Sequence, residues 1–101
     1  DDVPDYVKCD FTLKCEGDSM INARIYDGDI VYVKIQETVE NGQIAVVRIG
    51  DETTLKRFYK NENTVTLMPE NPLYKPLVFV NEEINDIRII GIAVAFTSSI
   101  R

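Results

Sequence analysis

The stretch QIAVVRIGDETTLKRFY, residues 43–59, decides how this chain folds. Its first part, residues 43–49, is dominated by the β-branched and apolar residues that strands prefer. Gly50-Asp51 then supplies a turn, and residues 52–59 return as the second arm of a hairpin. The stretch therefore predicts two antiparallel strands, and it places Lys56 on the second of them.

Short strands separated by turns continue on both sides of this hairpin. Residues 16–20 predict a turn that leads into a short helical segment, and the prolines of residues 69–76 predict an ordered loop or an edge. The fold class that follows is mostly β: a compact single domain over residues 1–101, made of short, highly twisted antiparallel strands and hairpins with little helix. The further strands are expected at residues 9–15, 30–33, 64–68, 77–80 and 87–96.

The first and last of these strands carry additional information. Alternation in residues 9–15 predicts a half-buried strand at the edge of a sheet, with one apolar face made by Cys9, Phe11, Leu13 and Cys15. The two cysteines are then core residues, because their spacing suits neither a disulfide framework nor a C-x-x-C redox or zinc motif. The long apolar run at residues 87–96 predicts a strand that is covered on both faces or by a partner subunit.

Composition excludes several classes of protein. The 101 residues are 45% hydrophobic, which is enough for a modest core. With 17 acidic and 11 basic residues the net charge is −6, so a phosphate backbone would repel the chain and direct DNA binding is not expected. The longest apolar stretch, residues 89–96, is far shorter than the roughly 20 residues of a membrane span. We therefore expect a soluble cytoplasmic protein with no membrane partner.

The chain has no histidine. This excludes the Ser-His-Asp and Cys-His mechanisms together with most zinc and iron sites, so no cofactor and no metal are expected. Nucleophilic catalysis would then need another base. Aspartate and glutamate are weak bases at neutral pH and arginine does not deprotonate, which leaves a desolvated lysine as the leading candidate.

Three short motifs are candidates for chemistry, although each is common in structural roles. A serine in a glycine-containing turn, as in Gly17-Asp18-Ser19-Met20, usually satisfies nearby backbone groups. The sequence Asp27-Gly28-Asp29 is an ordinary turn, and the lysine and arginine of Thr54-Leu55-Lys56-Arg57 are typical of a solvated strand edge. None of the three indicates catalysis by itself.

In combination, the three motifs resemble the peptidase domain shared by LexA repressors, phage lambda-type repressors and the UmuD mutagenesis proteins. That family places a G-x-S-M segment before a D-G-D strand entry and a later T-x-K-R strand, and the 37-residue separation of Ser19 from Lys56 suits it. Residues 67–72, LMPENP, also resemble the family's L-x-P-x-N-P segment. The resemblance covers nearly the whole chain and implies a fold like the C-terminal domain of LexA.

The resemblance implies a role for each of three residues. Ser19 would attack a peptide carbonyl, and Lys56 would remove the serine proton and later protonate the leaving amine. The backbone N–H groups of Ser19 and Asp18 would stabilise the oxyanion, while the Asp18 carboxylate receives no chemical role. Lys56 acts as a base only when neutral, and a substrate loop that covers it would provide the required burial.

Strand alternation agrees with this assignment of the base. It places Lys56 on one face with Thr54 and Phe58, and Leu55 and Arg57 on the other. The lysine can therefore point toward an apolar wall while the arginine faces elsewhere. Arg57 is not expected to be the base.

The function that the resemblance implies is a latent serine–lysine peptidase domain of a transcriptional repressor. Such a repressor forms a homodimer and cleaves itself when a RecA-like recombinase filament signals DNA damage, the SOS response. The family cuts itself at an Ala-Gly or Cys-Gly pair well before the nucleophile, and no such pair occurs among the eighteen residues before Ser19. We therefore expect a fragment whose cleavage site and N-terminal DNA-binding domain lie upstream, so that DNA is contacted only through that missing domain.

Other functions remain open at this point. The same domain can serve as a non-cleaving module that dimerises a repressor, or as a UmuD-like accessory protein of a polymerase. Membrane signal peptidases also pair a lysine with a serine that precedes methionine, but they require a membrane anchor.

Overall fold

The hairpin of residues 43–59 forms the third and fourth strands of a seven-stranded antiparallel sheet. The computed structural model describes residues 8–98. Within these residues the strands are β1 (Phe11–Lys14), β2 (Ile30–Ile35), β3 (Ile44–Ile49), β4 (Glu52–Asn61), β5 (Thr64–Met68), β6 (Leu77–Val80) and β7 (Ile87–Thr97), and two 3₁₀ helices, Ile21–Ala23 and Asn81–Asp86, connect strands. In the sheet the strand order is β1-β2-β7-β3-β4-β5-β6. The mostly β fold class is therefore confirmed.

Most strand predictions are confirmed, with differences at the ends. The first strand is shorter than predicted at both ends, because its regular pairing with β2 runs only from Phe11–Val33 to Lys14–Ile30. At Cys15 the pairing becomes irregular: its N–H donates to the Asp29 carbonyl at 2.8 Å, whereas its carbonyl accepts from the Gly28 N–H at 2.7 Å. The strand β4 continues to Asn61, since its ladder with β5 runs that far. Of the two cysteines, Cys15 is buried in the core, whereas Cys9 is only half-buried.

The strand β7 joins the two halves of the sheet. It pairs with β2 on one side and with β3 on the other, and each ladder contains a bulge on β7. Val94 is the extra residue opposite Tyr32 and Val33, and Ile90 is the extra residue opposite Val46 and Val47. Bulges bend a strand and increase its local twist, so the two halves of the sheet can curl toward opposite faces.

The core consists of two clusters on opposite faces of the sheet. In β3, Val46 belongs to the first cluster whereas Ala45 and Val47 belong to the second, so both faces of this strand are covered. This explains why residues 44–47 are apolar without alternation. The buried members of the first cluster are Cys15, Met20, Ile25, Val31, Val33, Val46 and Leu55. Those of the second are Ala45, Val47, Phe58, Val65 and Leu67.

The last part of β7, residues 93–97, extends past the end of its ladder with β3. Residues 93–97 follow the last pair with β3, Ala45–Ile92, and their ladder within the described residues is with β2 alone. Val94 and Phe96 are 43% and 38% exposed. Coverage of both faces by the described chain is therefore wrong for this end of the strand, while coverage by a partner subunit stays a prediction.

The strand β7 lies so close to its neighbour β2 at Gly91 that no side chain fits there. A Cβ atom there would lie 2.4 Å from the Lys34 carbonyl oxygen and 2.8 Å from Val33 Cγ1. We expect Gly91→Ala to lower the free energy of unfolding by about 2 to 3 kcal/mol, because the two strands must separate to accept it. Urea denaturation measures this change.

Gly50→Ala serves as the matched control for this substitution. Gly50 lies in open space but has φ of +60°, so alanine there costs only the left-handed conformation, about 1 kcal/mol. An equal loss of stability in both variants would contradict the close approach at Gly91.

Candidate active site

Ser19 lies in the turn that connects β1 to the first 3₁₀ helix. Gly17 has φ of +84°, a conformation that favours glycine, and its N–H donates to Asp27 Oδ1 at 2.8 Å. Asp29 is fully buried, and its Oδ2 accepts from the Tyr26 N–H at 2.8 Å. The Asp-Gly-Asp turn is therefore hydrogen-bonded to residues 16–20, the turn that carries Ser19, which we call the serine turn. Ser19 itself is half-buried.

Lys56 lies in the middle of β4, and its amine reaches the serine. Lys56 Nζ is 3.1 Å from Ser19 Oγ, 2.7 Å from Thr54 Oγ1 and 3.2 Å from the Leu55 carbonyl oxygen. The contact with Thr54 agrees with the strand alternation, which places both side chains on one face. The structure thus brings together the two side chains that the sequence singled out.

The three oxygen atoms around Lys56 suit both protonation states of the amine. A protonated lysine donates three hydrogen bonds, whereas a neutral amine has two N–H groups and one lone pair. With the two N–H groups directed at Thr54 Oγ1 and the Leu55 carbonyl, the lone pair faces the Ser19 hydroxyl. Neutral Lys56 can then accept the serine proton without moving.

Burial lowers the pKa of Lys56 below its usual value. A negative charge on Cys15 acts in the opposite direction and is the smaller influence. Burial also raises the pKa of the Cys15 thiol, and the carboxylates of Asp29 and Asp27 raise it further. The thiol is therefore kept in the neutral form, which leaves desolvation as the main effect on the lysine.

Two cavities flank the Ser19–Lys56 pair. One has a volume of about 270 Å³ and an apolar wall that includes Leu13, Met20 and Leu55. The other, of about 310 Å³, lies toward Tyr74 and Leu77, and Ser19 and Thr54 line both. An extended peptide can therefore cross Ser19 with side chains directed to both sides.

Residues 69–76, the segment after β5, hold the serine turn in place. The sequence analysis did not predict this role. The Glu70 N–H donates to the Ser19 carbonyl at 2.8 Å, and Asn71 Nδ2 donates to the Asp18 carbonyl at 2.8 Å. Glu70 also forms an ion pair with Arg57, the residue next to Lys56 on β4. The only signal in the sequence was the resemblance of residues 67–72 to a family segment.

The side chains of Asp18 and Arg57 bind partners other than Ser19 and Lys56. The Tyr74 hydroxyl donates to Asp18 Oδ1. Arg57 binds Glu70 and donates from Nη1 to the Gly42 carbonyl at 2.7 Å. The arginine therefore faces away from Ser19, and the roles of the Ser19 and Asp18 N–H groups toward an oxyanion stay predictions.

Comparison with protein families agrees with this geometry. Residues 3–94 match the family model described as Peptidase S24-like. The chain belongs to the Peptidase S24-like family. The resemblance to LexA-like peptidases is thereby confirmed, and the Ser19–Lys56 pair lies within the matched residues.

LexA repressors are among the relatives of this family member. That of Caldicellulosiruptor saccharolyticus is 44% identical over 81 residues, which are 80% of this chain and 38% of the relative. That of Desulforamulus reducens is 47% identical over 81 residues, 80% of this chain and 36% of the relative. That of Erwinia tasmaniensis is 52% identical over 69 residues, 68% of this chain and 34% of the relative. This chain thus spans well under half the length of these repressors.

Within residues 8–98, no helix has both the length and the apolar character needed to cross a membrane.

The partial burial that lowers the pKa of Lys56 also lowers the free energy of unfolding, because the folded state must hold a desolvated charge. The unfolded chain keeps the ordinary lysine pKa near 10.4, so between the two pKa values the folded state binds fewer protons and stability rises with pH. Below the lowered pKa the buried charge is fully present. We expect Lys56→Met to raise the free energy of unfolding at pH 7 by about 1 kcal/mol, and this gain to shrink toward pH 10.

Urea denaturation of both proteins at several pH values measures this difference. The Lys56 charge also lowers the pKa of the Cys15 thiol, so both proteins are compared in a Cys15→Ala background, in which the effects of the remaining groups cancel. A difference that does not change with pH would contradict the assignment to the lysine charge.

Proposed function

We propose that this chain is the latent serine–lysine peptidase domain of a LexA-like repressor. The observation that carries the proposal is the 3.1 Å contact between Lys56 Nζ and Ser19 Oγ, in a family member whose lysine pKa is lowered by burial. The relatives named LexA repressor support the repressor context. The substrate is a peptide segment of the same polypeptide, upstream of Asp1.

The reaction proceeds through two covalent steps. Ser19 Oγ attacks the scissile carbonyl carbon, the C–O bond forms, the carbonyl electrons move to oxygen, and the serine proton passes to Lys56 Nζ. When the C–N bond breaks, the Lys56 ammonium protonates the leaving amine. Water then attacks the acyl carbon and gives a proton to Lys56, the C–Oγ bond breaks, and Lys56 returns the proton to Ser19 Oγ as the new carboxyl group leaves.

Latency follows from the incomplete burial of the lysine. Lys56 is half-buried in this structure, and the two cavities beside Ser19 are open to solvent. A substrate segment that enters both cavities removes water from the amine and lowers its pKa further, so binding of the substrate activates the base. A RecA-like filament that favours the bound arrangement would therefore trigger cleavage without contributing a catalytic group.

Dimerisation is a second function, which the end of β7 supports. Residues 93–97 have an unused strand edge within the described chain, and Val94 and Phe96 expose apolar side chains there. A second copy that pairs along this edge would bury both side chains and would bring two upstream DNA-binding domains to two half-sites. With a net charge of −6, this chain leaves the DNA contact to those domains. The same surface would serve a non-cleaving module or a UmuD-like accessory protein.

The full-length gene product should cleave itself faster as pH rises. Below the pKa of Lys56 the neutral fraction increases tenfold for each pH unit, and the rate constant should follow it. Ser19→Ala, Lys56→Ala and Lys56→Arg should each abolish cleavage, because arginine keeps its proton. Gel electrophoresis of timed samples between pH 6 and pH 10 gives the rates.

Lys60→Ala is the matched control for this experiment, since Lys60 is an exposed lysine on the same strand. It should cleave at the rate of the unaltered protein. Cleavage that persists in Ser19→Ala or in Lys56→Arg would rule out the dyad.

The dimer surface is tested by a charge at Val94. We expect Val94→Asp to weaken self-association of this chain by about tenfold or more, because a carboxylate would have to be buried between the two copies. Val78→Asp is the control, because Val78 is an exposed valine on β6. Sedimentation equilibrium measures both, and a chain that stays monomeric at high concentration would contradict the dimer.

A further inference from the structure

The peptide group between Asp18 and Ser19 is held by the buried side chain of Asn71. Asn71 is only 4% exposed, and its Nδ2 donates to the Asp18 carbonyl oxygen at 2.8 Å. Its Oδ1 accepts from the Leu73 N–H at 2.9 Å. Because both ends of the amide have partners, the side chain is fixed in one orientation, with its donor directed at Asp18.

This contact also sets the direction of the Ser19 N–H. The Asp18 carbonyl and the Ser19 N–H belong to one planar peptide unit, and the described residues contain no cis peptide bond. In a trans peptide the carbonyl and the N–H point in opposite directions. With the carbonyl tied to Asn71, the Ser19 N–H points away from the segment after β5.

We propose that Asn71 is a positioning residue for the oxyanion: by holding the Asp18 carbonyl, it aims the Ser19 N–H at the oxygen of the attacked carbonyl. Asn71 does not touch the substrate. The inference rests on the proposed peptidase function, which it deepens by assigning the group that sets the oxyanion donor.

The segment that contains Asn71 also contacts the strand that carries Lys56, the proposed base. Its neighbour Glu70 binds the Ser19 carbonyl through its N–H and pairs with Arg57 through its carboxylate. Two successive peptides of the serine turn are therefore held by two successive residues, and one of these is tied to the strand that carries Lys56. Such an arrangement fixes donor and base relative to each other, which matters because a displacement of about 1 Å can lower a rate by about a hundredfold.

A fluorophosphonate with a short alkyl chain tests the proposal on this chain without a peptide substrate. Ser19 Oγ attacks phosphorus, the O–P bond forms, the P–F bond breaks and fluoride leaves, while the serine proton passes to Lys56 and then to solvent. The phosphoryl oxygen gains negative charge as the peptide oxygen would, so the Ser19 N–H should stabilise it. Mass spectrometry gives the rate of labelling.

Two variants of Asn71 remove its donor in different ways. Asn71→Asp replaces Nδ2 by oxygen but retains an acceptor for the Leu73 N–H, and Asn71→Leu matches the shape without a charge. We expect each to label at least about tenfold more slowly than the unaltered chain, since loss of one oxyanion donor lowers rates by about 10²- to 10³-fold. For Asn71→Leu the pH of half-maximal labelling should not change, because the contacts of Lys56 are retained.

Asn41→Asp is the matched control. Like Asn71, Asn41 binds backbone groups through both ends of its amide: Nδ2 donates to the Lys60 carbonyl at 3.0 Å, and Oδ1 accepts from the Lys60 N–H at 2.7 Å. This variant should label within about twofold of the unaltered chain. Labelling of folded Asn71 variants within that range would overturn the proposal. A shift of the pH midpoint of Asn71→Leu to that of an ordinary lysine would also overturn it, because the loss would then lie in the Ser19–Lys56 pair.

A measurement on the unaltered chain keeps the test independent of how the variants fold. In the phosphonylated protein, the amide proton of Ser19 should move downfield in the NMR spectrum, because it then donates to the phosphoryl oxygen. An unmoved Ser19 amide signal would overturn the inference and leave the peptidase proposal intact. Absence of labelling in the unaltered chain at a pH at which Lys56 is neutral, or equal labelling of Ser19→Ala, would instead remove the peptidase function itself.

Discussion

The hydrogen bond between Lys56 Nζ and Ser19 Oγ is the contact on which the site depends, and it requires a lysine to be partly removed from water. Burial of an ammonium group is unfavourable unless its protons find partners. Here Thr54 Oγ1 and the Leu55 carbonyl provide two of them from within the same strand. Among the described residues no carboxylate binds this amine, and a carboxylate there would raise the lysine pKa and oppose the proposed role as a base.

The sheet supplies the rigidity that this contact needs. Lys56 pairs with Ala45 of β3, and the ladder of β4 with β5 begins at the next residue, Arg57, so the backbone before and after Lys56 is fixed in register. The serine turn is less regular, and it is fixed by contacts with two other segments and by one buried residue of its own. The Asp-Gly-Asp turn binds Gly17, the segment after β5 binds the Asp18 and Ser19 carbonyls, and the buried Met20 anchors the end of the turn in the core. The sheet thus fixes Lys56, the proposed base, and a hydrogen-bonded turn fixes Ser19, the proposed nucleophile.

Local sequence signals were sufficient for the strands but not for their arrangement. The bounds of β5 and β6 were predicted correctly because asparagines and prolines mark their ends. The insertion of β7 between β2 and β3, with its bulges at Ile90 and Val94, depends on pairing between distant residues, which no local pattern reveals. In the site, Ser19 and Lys56 were found through the resemblance of three ordered motifs. The support by Glu70 was missed because it acts through a backbone N–H, and any residue could supply that donor.

The choice of lysine over histidine has a physical consequence for regulation. A histidine has an unperturbed pKa of about 6.5, so an exposed histidine is already a base at neutral pH. A lysine near pKa 10.4 is protonated and inactive until it is desolvated. Under the proposed function, the activity of Lys56 as a base would therefore depend on what covers its amine. The cavities on both sides of Ser19 are open, so a substrate segment that fills them could supply this cover, and the domain would then need no separate inhibitor.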